Sequence, residues 1–182
     1  MRLAALERGK TPSAVGVVVS GVADRDLPAL YAQHYRALVK LSGLYLGDVE
    51  SAEEVVQDAF VKLLSGRYQV EAGKEGPYLR SMVLNGSRSV LRKRHVRRLK
   101  APAPPGDEVA AEEIGMARAE RDRVVSMVRS LPHKQASVLM LRYYLELSEA
   151  EIAETLGIAR GSVKSHAHRA LAKLQTRLGD QP

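Results

Sequence analysis

The stretch Leu145-Glu-Leu-Ser-Glu-Ala-Glu-Ile-Ala-Glu-Thr-Leu-Gly-Ile-Ala-Arg-Gly-Ser-Val-Lys-Ser-His-Ala-His-Arg-Ala-Leu171 decides how this chain is read. Ser148 and Glu151 have the spacing of a capping box that opens a helix. Ile152, Ala153 and Leu156 give that helix an apolar side, and Gly157 supplies the left-handed residue that stops it. Val163, Ala167, Ala170, Leu171, Leu174 and Leu178 then recur at helical spacing and mark a second helix. Its opposite face carries Ser165, Arg169 and Ala172, flanked by Lys164 and His168. Small and basic residues facing outward suit a helix that enters a major groove and meets phosphates and base edges. The plainer alternative is a helical hairpin with a solvated basic face.

The rest of the chain favours an anionic partner. It has 182 residues, a formal net charge of +7 and a pI near 9.8, which points first to nucleic acid. The charge is segregated. Gly76 to Gly106 holds no acidic residue but contains Arg80, Arg88, Arg92, Lys93, Arg94, Arg97, Arg98 and Lys100. Gly157 to Gly179 is also free of acid. The acidic residues gather at 48–58, 107–122 and 146–154. Two basic faces separated by acidic segments suit a protein with several partners better than a uniformly basic binder.

Working outward, the periodicity is helical from Leu27 onward, and strand patterns are absent apart from a weak Val15–Val19 run. A first helix is expected from about Leu27 to Leu46, ended by Gly47. Ser51 and Glu54 have capping-box spacing for a second, with Val55, Val56, Ala59, Phe60 and Leu63 as its core stripe and Gly66 as its stop. Pro77 suits the first turn of a third, which carries Tyr78, Leu79, Met82, Val83, Val90 and Leu91 inward and runs into the basic tract. Ala101-Pro-Ala-Pro-Pro-Gly106 cannot continue a helix and reads as a semi-rigid linker. Beyond it, Ile114, Ala117, Val124, Val125, Val128 and Leu131 mark one helix. After Pro132, Ala136, Leu139, Met140 and Tyr143 mark another. The expected fold class is therefore all-α: two small helical domains, residues 26–100 and 112–182, joined by a Pro-rich linker at 101–111. Residues 1–25 precede them as an extension without assigned role.

Several chemistries are set aside. The chain has no cysteine, so disulfides and thiolate ligands do not arise. His166 and His168 lie two apart on a helix and point to different sides, so no shared metal site is expected. Ser162 and Ser165 lack an orienting acid and an oxyanion hole. No nucleotide-binding or zinc-ligand spacing occurs. Neither an enzyme nor a cofactor is expected. The longest apolar run, Val15 to Val22, is too short to cross a bilayer, and a cytoplasmic protein is expected.

Three segments together resemble one family: Ala52-Glu-Glu-Val-Val-Gln-Asp-Ala-Phe60, Tyr78-Leu-Arg-Ser-Met-Val-Leu-Asn85, and Leu131-Pro-His-Lys-Gln-Ala-Ser-Val-Leu-Met-Leu-Arg-Tyr-Tyr144 leading into the helix-turn-helix. In this order, over about Leu27 to Leu178, the chain resembles the extracytoplasmic-function (ECF) sigma factors of the bacterial sigma-70 family. The resemblance implies a sigma-2-like domain that binds core RNA polymerase and melts the −10 element, and a sigma-4-like domain that reads the −35 element. It places Glu54, Gln57 and Asp58 toward the polymerase, whose β′ and β subunits are the implied contacts. It gives Asn85 and the loop Ser65–Gly76 a flipped base of the −10 element, with Arg88, Arg92 and Arg94 tracking the strand. Arg142, Arg160, Lys164, Ser165, His168 and Arg169 fall at the −35 contacts. An anti-sigma protein is an implied partner, and no stable homo-oligomer is expected. Tyr78 stands where the family often has Trp. Ala159 stands at a cap position often held by Ser or Asp. His166 and His168 replace larger residues, so the −35 sequence does not follow. The competing readings are an autonomous helix-turn-helix regulator and a pure interaction protein that never binds DNA, against which the basic faces argue.

Overall fold

The computed structural model describes residues 26–65, 70–100 and 116–179. Within them lie seven α-helices. The extension 1–25 and the Pro-rich linker lie outside the described residues, as do Gly66 and Ile114.

The first domain is a three-helix unit. Helix α1 (Leu27–Leu46) starts where the Asp26 carboxylate accepts a hydrogen bond from the Ala29 amide at 3.0 Å, with Pro28 in its first turn. It ends on Gly47, at φ 83°, a backbone state that costs glycine little. Helix α2 (Val49–Leu64) follows after two residues, Gly47 and Asp48. Its cap is not the expected Ser51: Asp48 takes that place, accepting from the Ser51 amide at 2.8 Å. A capping box is recognised by its i, i+3 pair, whereas here a lone carboxylate closes the first turn. Helix α3 (Glu75–Lys100) is the longest. Leu38, Leu41 and Tyr45 from α1, Val56, Phe60 and Leu63 from α2, and Leu79, Val83 and Leu84 from α3 are buried together. Gly86 lets α3 approach α2: a Cβ there would lie 2.8 Å from Val55 Cγ1. Ser42 and Ser87 pair through their hydroxyls at 2.9 Å in the buried contact of α1 with α3.

The second domain holds α4 (Met116–Arg129), α5 (His133–Leu139), a π-helical turn (Met140–Tyr144), α6 (Glu149–Leu156) and α7 (Arg160–Gly179). Pro132 stops α4 and precedes α5. The π turn shifts the helical register by one residue. Leu141 thereby becomes fully buried, while Tyr143, expected inward, is 62 % exposed. The expected start of α6 is present in full: the Glu151 amide donates to Ser148 Oγ at 3.3 Å, and the Ser148 amide donates to the Glu151 carboxylate at 2.8 Å. Gly157 stops α6 at φ 59°. Val163, Ala167 and Ala170 are buried, but Leu171 and Leu178, from the same sequence stripe, stand exposed. Leu178 lies in the last turn of the 20-residue α7, beyond Leu174, which still packs against the core.

The buried apolar side chains of both domains form one continuous cluster. No helix among the described residues is long and apolar enough to cross a membrane.

Candidate nucleic-acid interface

The outward face of α7 is built from its first turns. Arg160, Lys164, Ser165, His168 and Arg169 are all exposed, because Val163, Ala167 and Ala170 bind the helix to the core through its other side. Two of these side chains are oriented by their own helix: Arg169 Nε donates to the Ser165 carbonyl at 3.1 Å, and Ser165 Oγ donates to the Gly161 carbonyl at 3.1 Å. Arg142 reaches the same region from the π turn, where Glu149 at the start of α6 holds it in an ion pair. Lys164 stands 3.8 Å from the same carboxylate. Glu149, which the sequence reading missed, thus gathers cations from two elements; no local spacing marks it. His166 is half-buried. Burial, helped by Arg169 and Lys134, lowers its pKa, so its neutral form is favoured.

The second basic face lies on α3. Asn85, Arg88 and Arg92 are exposed there. Arg94 differs: it donates to the Leu46 carbonyl at 3.0 Å, to the Asp48 carboxylate at 2.8 Å and to Ser51 Oγ at 2.6 Å. Its guanidinium therefore ties the last turn of α1 to the first turn of α2. Burial works to raise the Asp48 pKa, but the Ser51 amide, Arg94 and the Ser51 hydroxyl together hold it below its ordinary value. The loop before α3 is described at Ser65 and from Val70 onward; residues 66–69 lie outside the described residues.

A third surface lies on α2. Glu54, Gln57 and Asp58 are exposed, with Asp58 paired to Lys62 at 3.1 Å. Beside them runs an apolar groove of about 630 Å³ between α1 and α2, lined by Leu27, Tyr31, Phe60, Val61 and Leu64. Val61 is 62 % exposed at its edge. The sequence stripe pointed to Phe60 as core and gave no sign that Val61 would stand in the open. No group of three or more histidine or carboxylate side chains able to hold a metal occurs among the described residues.

These surfaces sit on a chain with clear relatives. Residues 30–97 match the family Sigma-70 region 2, and residues 121–174 match Sigma-70, region 4. The chain is similar to an RNA polymerase sigma-E factor of Streptomyces avermitilis, 30 % identical over 144 residues, covering 78 % of this chain and 79 % of that protein. The ECF RNA polymerase sigma factor SigL of Mycobacterium tuberculosis is 28 % identical over 170 residues, covering 88 % of this chain and 94 % of SigL. Among solved structures the fold is similar to that of CnrH in complex with the cytosolic domain of CnrY, with a TM-score of 0.64, 23 % identity, and 88 % and 94 % of the two chains covered. It is also similar to the sigma factor RpoE of Bartonella quintana in complex with the anti-sigma factor NepR, with a TM-score of 0.62, 20 % identity, and 86 % and 99 % covered. Two family regions in their expected order, carried on a helix-turn-helix with a basic outer face and on a three-helix unit with a second one, make this chain a member of the sigma-70 family, among its ECF sigma factors.

Proposed function

We propose that this sigma factor directs core RNA polymerase to its promoters by reading the −35 element with α7 and engaging the melted −10 element with α3. Its domains are residues 26–100 and 112–182, with 101–111 as the linker. One observation carries the reading: the exposed residues of the first turns of α7 are cationic, polar or small while the opposite side is wholly buried. Such a helix presents hydrogen-bond donors to base edges and phosphates without loss of core. Arg142, Arg160, Lys164, Ser165, His168 and Arg169 form the −35 face. Asn85, Arg88 and Arg92 form the −10 face, and Arg94 serves it by fixing the corner from which α2 starts. Glu54, Gln57 and Asp58 contact the polymerase, beside the apolar groove on α2. The protein performs no chemistry of its own and acts in the cytoplasm. An anti-sigma protein is a partner by analogy with the solved complexes. The test is transcription in vitro with core polymerase and a promoter library. Promoter-specific transcripts that require this chain support the reading. Tight sequence-specific binding by the protein alone, with no strand opening once polymerase is added, would replace it with an autonomous regulator.

A further inference from the structure

An apolar groove of the first domain stands open among the described residues, and it starts where α1 starts. Phe60 is its buried floor, and Tyr31 and Val61 stand 42 % and 62 % exposed on its walls. Only Gly47 and Asp48 separate α1 from α2, so the first turn of α1 lies beside the last turn of α2. Leu27 and Leu64 thus line one end of the groove. At its other end Gln57 adjoins Glu54 and Asp58. Glu50 and Glu54 are exposed one turn apart on α2, and neither has an ion-pair partner among the described residues.

We propose that the occupant of this groove in the free chain is the apolar run of the N-terminal extension, Val15-Gly-Val-Val-Val-Ser-Gly-Val22, and that core polymerase competes with it for α2. The competition rests on the reading of Glu54, Gln57 and Asp58 as polymerase contacts; the occupancy does not. The tether favours this occupant. Only Ala23, Asp24 and Arg25 separate Val22 from Asp26, the cap of α1. A segment held so short has a millimolar effective concentration at the groove, far above that of a second copy in dilute solution. Its length suffices. Gln57 to Leu64 spans about 10 Å of helix, and an extended run from Val15 to Val22 reaches roughly 26 Å. Its chemistry fits as well. The five valines of the run are stiff at χ1, and seating them removes two apolar surfaces from water at once. With Val22 at the Leu27 end, the chain runs back toward Gln57 and carries the preceding residues to the acidic end of α2. Those residues, 1–14, hold Arg2, Arg8 and Lys10 against Glu7 alone, opposite in sign to Glu50, Glu54 and Asp58.

The chain has no tryptophan, so Tyr31→Trp places a single fluorescent reporter on the groove wall of the full-length protein. Acrylamide should quench it poorly. Val17→Asp with Val19→Asp puts two carboxylates into the apolar run and should raise the quenching severalfold. Ala110→Asp with Ala111→Asp makes the same charge change in the linker and should leave it as it was. Equal quenching in all three proteins overturns the proposal. So does quenching that falls as protein concentration rises, which assigns the groove to a second copy. In chains that keep Tyr31, the affinity for core polymerase is then compared. Because an accessible form present at fraction f weakens apparent affinity by that factor, Val17→Asp with Val19→Asp should bind core about tenfold more tightly than the linker pair. Quenching that responds while the polymerase affinities stay equal upholds the occupancy and takes this side of α2 out of the polymerase contact. The quenching is measured without polymerase, so the two failures are distinct.

Discussion

Gly86 marks the closest approach of α3 to α2. A Cβ there would meet Val55 Cγ1 at 2.8 Å, and Val55 is itself buried, so neither partner can move without shifting a helix. Gly86→Ala is expected to lower stability by about 1–3 kcal/mol through overpacking. Gly161, on α7, has nothing within 4 Å of the same built position. Gly161→Ala should therefore be neutral or stabilise by roughly 0.5–1 kcal/mol, through helix propensity and a less flexible unfolded chain. Thermal melts of the two variants check the pair; equal effects would remove the argument from close approach.

The histidines give a second expectation at this scale. Burial lowers the pKa of His34, with Arg80 adding to it, and burial lowers that of His133, with Arg88 and Lys134 adding. For a base whose folded pKa is depressed, the unfolded chain binds more protons, so stability rises with pH through that window. The stability is complete above the ordinary histidine value of about 6.5 and is lost as pH falls through the folded values. The melting temperature should drop between pH 7 and pH 5, and the double variant His34→Gln, His133→Gln should show a shallower drop. A parallel profile would assign the acid sensitivity to other groups.

Between elements, one arginine type performs two tasks. Arg92 is exposed and Arg94 ties α1 to α2. Arg94→Ala should cost about 1 kcal/mol, because it leaves the Leu46 carbonyl without its Arg94 donor and removes the cation from one oxygen of the part-exposed Asp48 carboxylate, whose other oxygen keeps the Ser51 amide. Arg92→Ala should leave stability within about 0.5 kcal/mol of wild type and weaken binding to single-stranded −10 DNA. On α7, Arg169→Ala should cost about 1–3 kcal/mol at a promoter that depends on its −35 element, if the guanidinium pairs with a guanine edge. Stability should not change, since the buried side of the helix is Val163, Ala167 and Ala170. Melting curves beside transcription titrations separate the tasks. Unaltered transcription with Arg169→Ala would take that residue out of the reading face.

For the molecule as a whole, charge and interface size set the expected behaviour. A specific protein–DNA complex buries roughly 1,000–2,500 Å² of protein surface, more than one helix-turn-helix supplies. The free protein should therefore bind duplex promoter DNA weakly, with affinity falling steeply as salt rises. Adding core polymerase should produce specific binding and permanganate-reactive thymines near the −10 element. A shallow salt dependence with nanomolar specificity for the free protein would contradict this.

Much of the molecule was legible from local chemistry. The capping box at Ser148 and Glu151, the stop at Gly157 and the apolar sides of α6 and α7 are set by neighbours three or four residues apart. A helix responds to those neighbours wherever it sits. The outward face of α7 followed from the same periodicity, which is why Lys164, Ser165, His168 and Arg169 were found. Other features depend on partners far along the chain. Asp48 as the cap of α2, Arg94 as a strut across 46 residues, and Glu149 gathering Arg142 and Lys164 are meetings that no window of sequence contains. Tyr143 faces solvent because a π turn shifts the register, and Leu178 is bare because it lies beyond Leu174, which still packs against the core. The contact between the two domains is the extreme case: the Tyr45 hydroxyl pairs with Ser137 Oγ at 2.8 Å across 92 residues of chain. Sequence alone thus determined the helices and their order, since these rest on short-range periodicity and capping, and its motifs carried the resemblance to the family. The tertiary structure alone decided which cations are held by distant partners, Arg94 by Asp48 and Arg142 by Glu149, and how the two domains meet, because those outcomes depend on which surfaces the folded helices bring together.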